Sequence, residues 1–462
     1  MHGVFNGYAG KNFILSPRYN SMSVFIYITL FLLIGPLLPG VSWFKLGDFT
    51  PDMVNYIHTI MIPFVFLLFI YSSELLNLLP FERKIVNIGT YPFLLISALG
   101  IAFYYPARFA NIDYALQAIR DVWMIILAVI FLVSLILMPF HDREKFRKIW
   151  GAYALLLVGT VSGIIASLMG VIYEYGFLFG FASVPWFNNY VIAWGGLNTF
   201  LGNIFTSHSH QMLPAVMGVI VALAAIYIGY EKLSAMKRGI VNVSLLISVF
   251  GVISMSYLYF ISAFGTYSIP TLFISGTGGM NGLALDDSQT GLIGAGALIS
   301  IAGLYYALSL KKPERLLQAL EMYIWMATMA VMIGVGYSME FNETYYGFGS
   351  PGTPPAGGAG YLYDQAFTNG HLLFAFFLMP LLAGILLVFI YFVREQNTLK
   401  NIIVAFAGTG TTIGAFGVLV YTITLSWYVE ATGLAMVILA ILLIAISSTI
   451  AMMEKRIYSG VK

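Results

Sequence analysis

Long apolar runs alternate along the chain with short polar breaks, and the length of the runs decides how they are read. A stretch of about 20 apolar residues crosses a hydrocarbon layer of roughly 30 Å as an α-helix. Twelve such stretches occur, at 20–44, 53–80, 86–105, 121–140, 149–174, 202–230, 239–265, 290–310, 316–338, 369–393, 401–427 and 432–453. The pattern predicts an all-α polytopic membrane protein of twelve transmembrane helices, forming one transmembrane domain over 1–462. Glycine and proline inside the runs do not disturb this reading, because membrane helices tolerate both.

Composition narrows the class. The chain is 60% hydrophobic and 9% charged, which excludes an ordinary soluble globule. A net charge of +2 gives no reason to expect a nucleic-acid partner; the expected surroundings are membrane lipid. There is no cysteine. Disulfides, thiolate metal sites, iron–sulfur clusters and covalent haem attachment are thereby removed, and any metal must be held by His, carboxylate, Met or Tyr. Lys11 and Arg18 precede the first run without a small-residue cleavage pattern, so no removable signal peptide is expected.

Charge then orients the helices. If the runs cross one after another, 19 of the 22 Lys and Arg fall on one side, and only Lys45, Arg108 and Arg120 on the other. The positive-inside rule predicts a multi-pass protein of the cell membrane with both termini cytoplasmic. The second, sixth and tenth runs then lead inward, and each carries histidine near its outer end: His58, then His208 and His210, then His371. His58 and His208 are 150 residues apart and His210 and His371 are 161 apart, against 154 for a third of the chain. Glu82, Glu231 and Glu395 follow the histidines by 24, 23 and 24 residues. This spacing predicts three four-helix units, 1–148, 149–312 and 313–462.

The run Thr206-Ser207-His208-Ser209-His210 opens the sixth helix. Residues i and i+2 on a helix point roughly 200° apart. One metal ion gains little from that arrangement, whereas a helix standing between two cofactors could give an imidazole to each. The plain alternative is a pair of polar residues capping a helix near the membrane surface. Ionisable groups inside spans are costly, which favours the functional reading. Glu74, among Tyr71, Ser72 and Ser73, could pass protons or lie solvated at the inner interface. The uncharged segment 175–201, with Trp186 and Trp194, reads as a cap in the outer interface. The Gly- and Pro-rich 339–369 reads as an outer loop, and Asp286-Asp287 as solvated acids.

Taken together, the helix count, the three units and the His-x-His helix flanked by histidine-bearing helices resemble the central subunit of haem–copper oxidases and nitric oxide reductases. Phe367-Thr368-Asn369-Gly370-His371, followed by Phe376-Phe377-Leu378-Met379-Pro380, resembles the family's helix bearing a low-spin haem ligand. That family carries His-x-His on the tenth span and a lone haem histidine on the second, so the pattern here is rotated by one unit. The family's adjacent His-His pair is missing, as is its His-x-x-x-Tyr. No copper is expected, nor oxygen or nitric oxide reduction at a copper site. With the pattern rotated, the resemblance implies two haems of b type in the outer leaflet, each iron held by two histidines: His208 with His58, and His210 with His371. Arg108 and Arg120 become candidate partners for the haem carboxylates, or else ordinary loop charges. The implied function is a respiratory membrane subunit that moves electrons between quinol and a partner redox protein, beside other subunits of a respiratory complex on the outer face. The alternatives are a twelve-helix secondary transporter with histidines along a substrate or proton path, and a haem-based gas-reducing enzyme with a modified second metal site. The threefold spacing and the outer depth of the histidines favour haem.

Overall fold

The computed structural model of the chain describes residues 16–41, 51–107, 112–176, 185–193, 195–264, 372–393, 397–424 and 426–453, with 317, 320 and 324 as single positions. Every regular element among them is helical. The order is α1 (Pro17–Ile34), α2 (Pro51–Leu76), α3 (Pro80–Ala107), α4 (Ile112–His141), α5 (Arg143–Gly176), α6 (Pro185–Ala193), α7 (Leu197–Ile228), α8 (Ala235–Phe264), α9 (Met379–Phe392), α10 (Asn397–Thr424) and α11 (Tyr428–Met453). Nine of the described helices are long and apolar enough to cross a bilayer, as expected of a helical multi-pass membrane protein. The predicted span 290–310, the predicted span 316–338 apart from the single positions 317, 320 and 324, the segments 266–289 and 339–369, and residues Arg108 and His371 lie outside the described residues.

The described helices pack around an inner trio. α2, α7 and α9 touch one another. Around them α1 packs on α3 and α11, α4 packs on α5, and α5 packs on α8. Burial follows this order: 78% of the apolar window of α7 is buried but only 28% of that of α4. The exposed residues of α4, Ile119, Val122, Ile126, Val129, Val133 and Ile136, are spaced by three and four. They form one face, which suits contact with lipid chains. The three helices that the sequence marks with histidine are thus the three inner ones.

Helix ends have local causes. α7 stops at Gly229, whose φ of +83° places it in the left-handed region, and its N–H returns to the Ala225 and Ile226 carbonyls. α5 breaks at Ile149 (φ −114°, ψ 23°), the residue where the apolar run begins. The backbone groups released there are taken up by Asn242 of α8. Its side chain donates to the Lys148 carbonyl at 3.3 Å and accepts the Gly151 N–H at 2.8 Å. The Tyr230 hydroxyl donates to the same Asn242 oxygen at 3.0 Å. Before α9 the chain is wound as a π-helical segment, Leu372–Leu378. Pro380 has no N–H to offer the preceding turn, and a shifted ladder is one way to absorb that loss. The π segment (7 residues) and α9 (14 residues) together make 21, enough to cross.

Close helix approach relies on glycine. A Cβ on Gly433 of α11 would strike the backbone of Gly414 of α10, and one on Gly417 would strike the backbone at Glu430. Helices that gain nothing from expelling water in lipid associate by such backbone contact. Gly384 likewise lets α9 close on the Phe64 ring of α2.

One expectation changes. The fourth span begins at Ile112 rather than 121, so Arg120 is eight residues inside α4 and is not a loop charge. Segment 175–201 contains a short helix, α6, that packs on α7; Tyr190 stacks with Phe200 at 6.3 Å and meets Phe264 edge-on at 5.4 Å.

A candidate two-histidine site between α2 and α7

His58 lies seven residues into α2, and His208 eleven residues into α7. Their ring centres are 6.0 Å apart, with the planes tilted by 34°. Each ring is fixed through its Nδ1. His58 Nδ1 faces the Val54 carbonyl in its own helix at 2.8 Å, and His208 Nδ1 faces the Ala166 carbonyl of α5 at 2.7 Å. A carbonyl only accepts, so both Nδ1 atoms carry the proton and both Nε2 atoms keep a free lone pair. This is the tautomer a metal-binding imidazole needs, with the second nitrogen tied as metal-ligating histidines usually have it.

The separation is informative. Two imidazoles that hold one metal from opposite sides have metal–nitrogen bonds of about 2 Å, with each ring centre about 1 Å behind its nitrogen, so the centres lie about 6 Å apart. No group of three or more His, Asp or Glu side chains that could hold a metal ion occurs among the described residues. Two imidazoles alone are a poor cage for a bare ion. They suffice where a macrocycle supplies the other four ligands, as in haem.

Both histidines line a cavity of about 300 Å³ between α2, α4, α5, α7 and α9. That is the lower end of the range for ligand pockets. The wall is mainly apolar, with Met61, Ile62 and Val65 from α2 and Met124 and Ala128 from α4. On α5 it is made of small residues, Gly159, Gly163, Ser167 and Gly170, spaced by four, four and three on one helix face. Gly170 is also where His208 seats: a Cβ there would be 2.9 Å from both Nδ1 and Cε1 of the ring.

A polar strip from the N-terminal part of α4 completes the lining. Gln117, Arg120 and Asp121 all line the cavity. Arg120 is 4% exposed and its Nε donates to Asp121 at 2.9 Å. Asp113, one turn above Gln117, is buried as well. A guanidinium held in an apolar wall beside two imidazoles is a ready partner for a ligand carboxylate.

The other predicted residues fall elsewhere. His210 is on a different side of α7 from His208, as the i, i+2 spacing requires. Its ring stacks on Tyr259 of α8 at 4.3 Å, and its Nδ1 is 3.3 Å from the Ser209 hydroxyl. Its expected partner, His371, and the candidate Arg108 lie outside the described residues, so that second site is only half in view. Glu74 is half-buried, with its carboxylate 3.8 Å from Arg83 and 16% exposed.

Sequence reading missed the small-residue face of α5 and the carbonyl of Ala166. The glycine spacing was there to find. The carbonyl was not, since every residue has one.

No protein-family model matches the chain, and no curated protein or solved structure is significantly similar to it.

Proposed function

We propose that this is a haem-carrying membrane subunit that moves electrons between quinol and a partner redox protein on the outer face of a cell membrane. The observation that carries the reading is the His58–His208 pair: ring centres 6.0 Å apart, both Nδ1 atoms engaged by carbonyls, both lining one apolar cavity. Haem iron with two axial imidazoles is six-coordinate and shuttles single electrons. The chain's own residues hold and orient. Val54 and Ala166 fix the rings, Gly170 gives His208 its seat, and Arg120 would meet a carboxylate. By the same logic His210 and His371 would hold a second haem.

The reading places twelve spans in three four-helix units, with both termini cytoplasmic. The central position of α2, α7 and α9, the second, sixth and tenth spans, supports the unit pattern. So does the approach of Ile324, within the predicted ninth span, to Gly408 on α10; it parallels α1 on α3 and α5 on α8. Reporter fusions after Lys148 and after Glu340 are expected to land on opposite sides of the membrane. Both on one side would remove this orientation.

The test of function is a reduced-minus-oxidised visible spectrum of the purified full chain, with haem extracted and counted per polypeptide. Sharp bands of low-spin b-type haem are expected. A colourless protein that still folds as a helical membrane protein would transfer the cavity to the transporter reading.

A further inference from the structure

Carboxylates are costly inside a membrane span, and Asp121 is nine residues into α4, about 13 Å from its start. It stands on the cavity side of the helix. Gln117, Asp121, Met124, Ile125 and Ala128 all line the cavity and share one face of α4. Val122, Ile126 and Val129 form the exposed, lipid-facing side. Asp121 accepts a hydrogen bond from the Arg120 Nε at 2.9 Å, and its side chain is 21% exposed.

The plain reading is that Asp121 holds Arg120 in place for a ligand carboxylate. Two observations give it a larger part. Among the described residues its charge acts on both imidazoles, His58 and His208, whereas that of Arg120 acts on His58. Nor does the pair cancel once the site is filled. Arg120 gives its Nε to Asp121, and its terminal NH2 groups can meet a ligand carboxylate. One guanidinium then serves two carboxylates, and a net negative charge stays at the cavity wall. Within an apolar lining that charge is weakly screened.

We propose that Asp121 sets the redox potential of the iron held by His58 and His208, and keeps it below the value that the two imidazoles alone would give. The proposal rests on the haem reading and names what biases that haem. Ferric iron in a porphyrin between two neutral imidazoles leaves one net positive charge at the centre, and ferrous iron leaves none. Reduction adds one electron and neither makes nor breaks a bond. A carboxylate beside the iron stabilises the charged, ferric form and so favours giving the electron up. Asp121 thereby biases the site to pass electrons on to the redox partner rather than to retain them.

The experiment is an equilibrium redox titration of the detergent-purified full chain, followed in the low-spin haem bands, with haem counted per polypeptide. The component to follow is the one missing from His58→Ala. Asp121→Asn, nearly the same shape without the charge, should raise its midpoint by about 59 mV or more, a tenfold change in a one-electron equilibrium constant, at unchanged haem content. Asp121→Glu, which restores the carboxylate, should stay close to the unaltered chain. Asp113→Asn removes a buried carboxylate that is not part of the cavity wall, and should shift the midpoint by less than half as much. No rise in Asp121→Asn, or an equal rise in Asp121→Glu or Asp113→Asn, would overturn the proposal. Loss of haem from Asp121→Asn would overturn it too, since Asp121 would then be a structural partner of Arg120. Absence of the low-spin bands from the unaltered chain would instead count against the haem reading itself.

Discussion

His58→Ala and His208→Ala should each deplete the same haem by more than about tenfold, while His210→Ala leaves that haem in place. The two ring centres are 6.0 Å apart, and among the described residues no other histidine lines the cavity. His210 is turned to Tyr259 and is no part of the cavity wall. Removing one imidazole leaves iron with a single axial bond and a void in an apolar wall. The expected signature is loss of the low-spin bands of one haem, or their conversion to a five-coordinate spectrum, equal in the two variants. His210→Ala should instead damage a different haem, and His371→Ala should group with it. Haem content and spectra of the four variants check this. If His58→Ala keeps both haems while His210→Ala and His208→Ala lose the same one, the pairing fails, and the i, i+2 argument fails with it.

How much of this was legible in the sequence depends on what kind of signal each feature leaves. Span existence was legible because twenty apolar residues in a row have few other uses. Even the break at Ile149 was, since the basic turn Arg143–Lys148 differs so sharply from the run behind it. The fourth span was clipped at 121 for a physical reason. Asp113, Gln117 and Arg120 are polar because they face the interior of the bundle rather than lipid, and a search for unbroken apolarity stops at such residues. Gln117 and Arg120 are therefore both the error in the span boundary and a mark of the cavity. The opposed directions of His208 and His210 followed from helix geometry alone. That His208 is opposite His58 at a ligand's distance is a tertiary fact. It depends on how α2 and α7 meet and on where α5 seats the His208 ring, at Gly170 and the Ala166 carbonyl. The π-helical turn before α9 left no mark beyond Pro380, which equally permits a kink.

Gly170→Val is expected to cost the His58–His208 haem about 10- to 100-fold in affinity without touching either histidine. The reason is local and can be followed atom by atom. At position 170 a Cβ would lie 2.9 Å from Nδ1 and Cε1 of His208, closer than van der Waals contact allows, and valine adds two methyl groups beyond it. The ring has to swing away from α5. In doing so it gives up the 2.7 Å hydrogen bond to the Ala166 carbonyl that fixes its tautomer and its plane. An imidazole free to turn, or protonated at the wrong nitrogen, is a weaker axial ligand. Global stability should change far less than haem content, because position 170 is near the C-terminal end of α5 and an added side chain there does not oppose helix formation. Gly202→Val is the matched control: it lies on the same histidine-bearing helix as His208, and a Cβ at 202 meets nothing within 4 Å. Haem per chain and the low-spin bands should fall in the first variant and hold in the second, at similar thermal stability. Full haem content and an unshifted spectrum in Gly170→Val would mean that His208 does not bind iron in the orientation its hydrogen bond to Ala166 imposes.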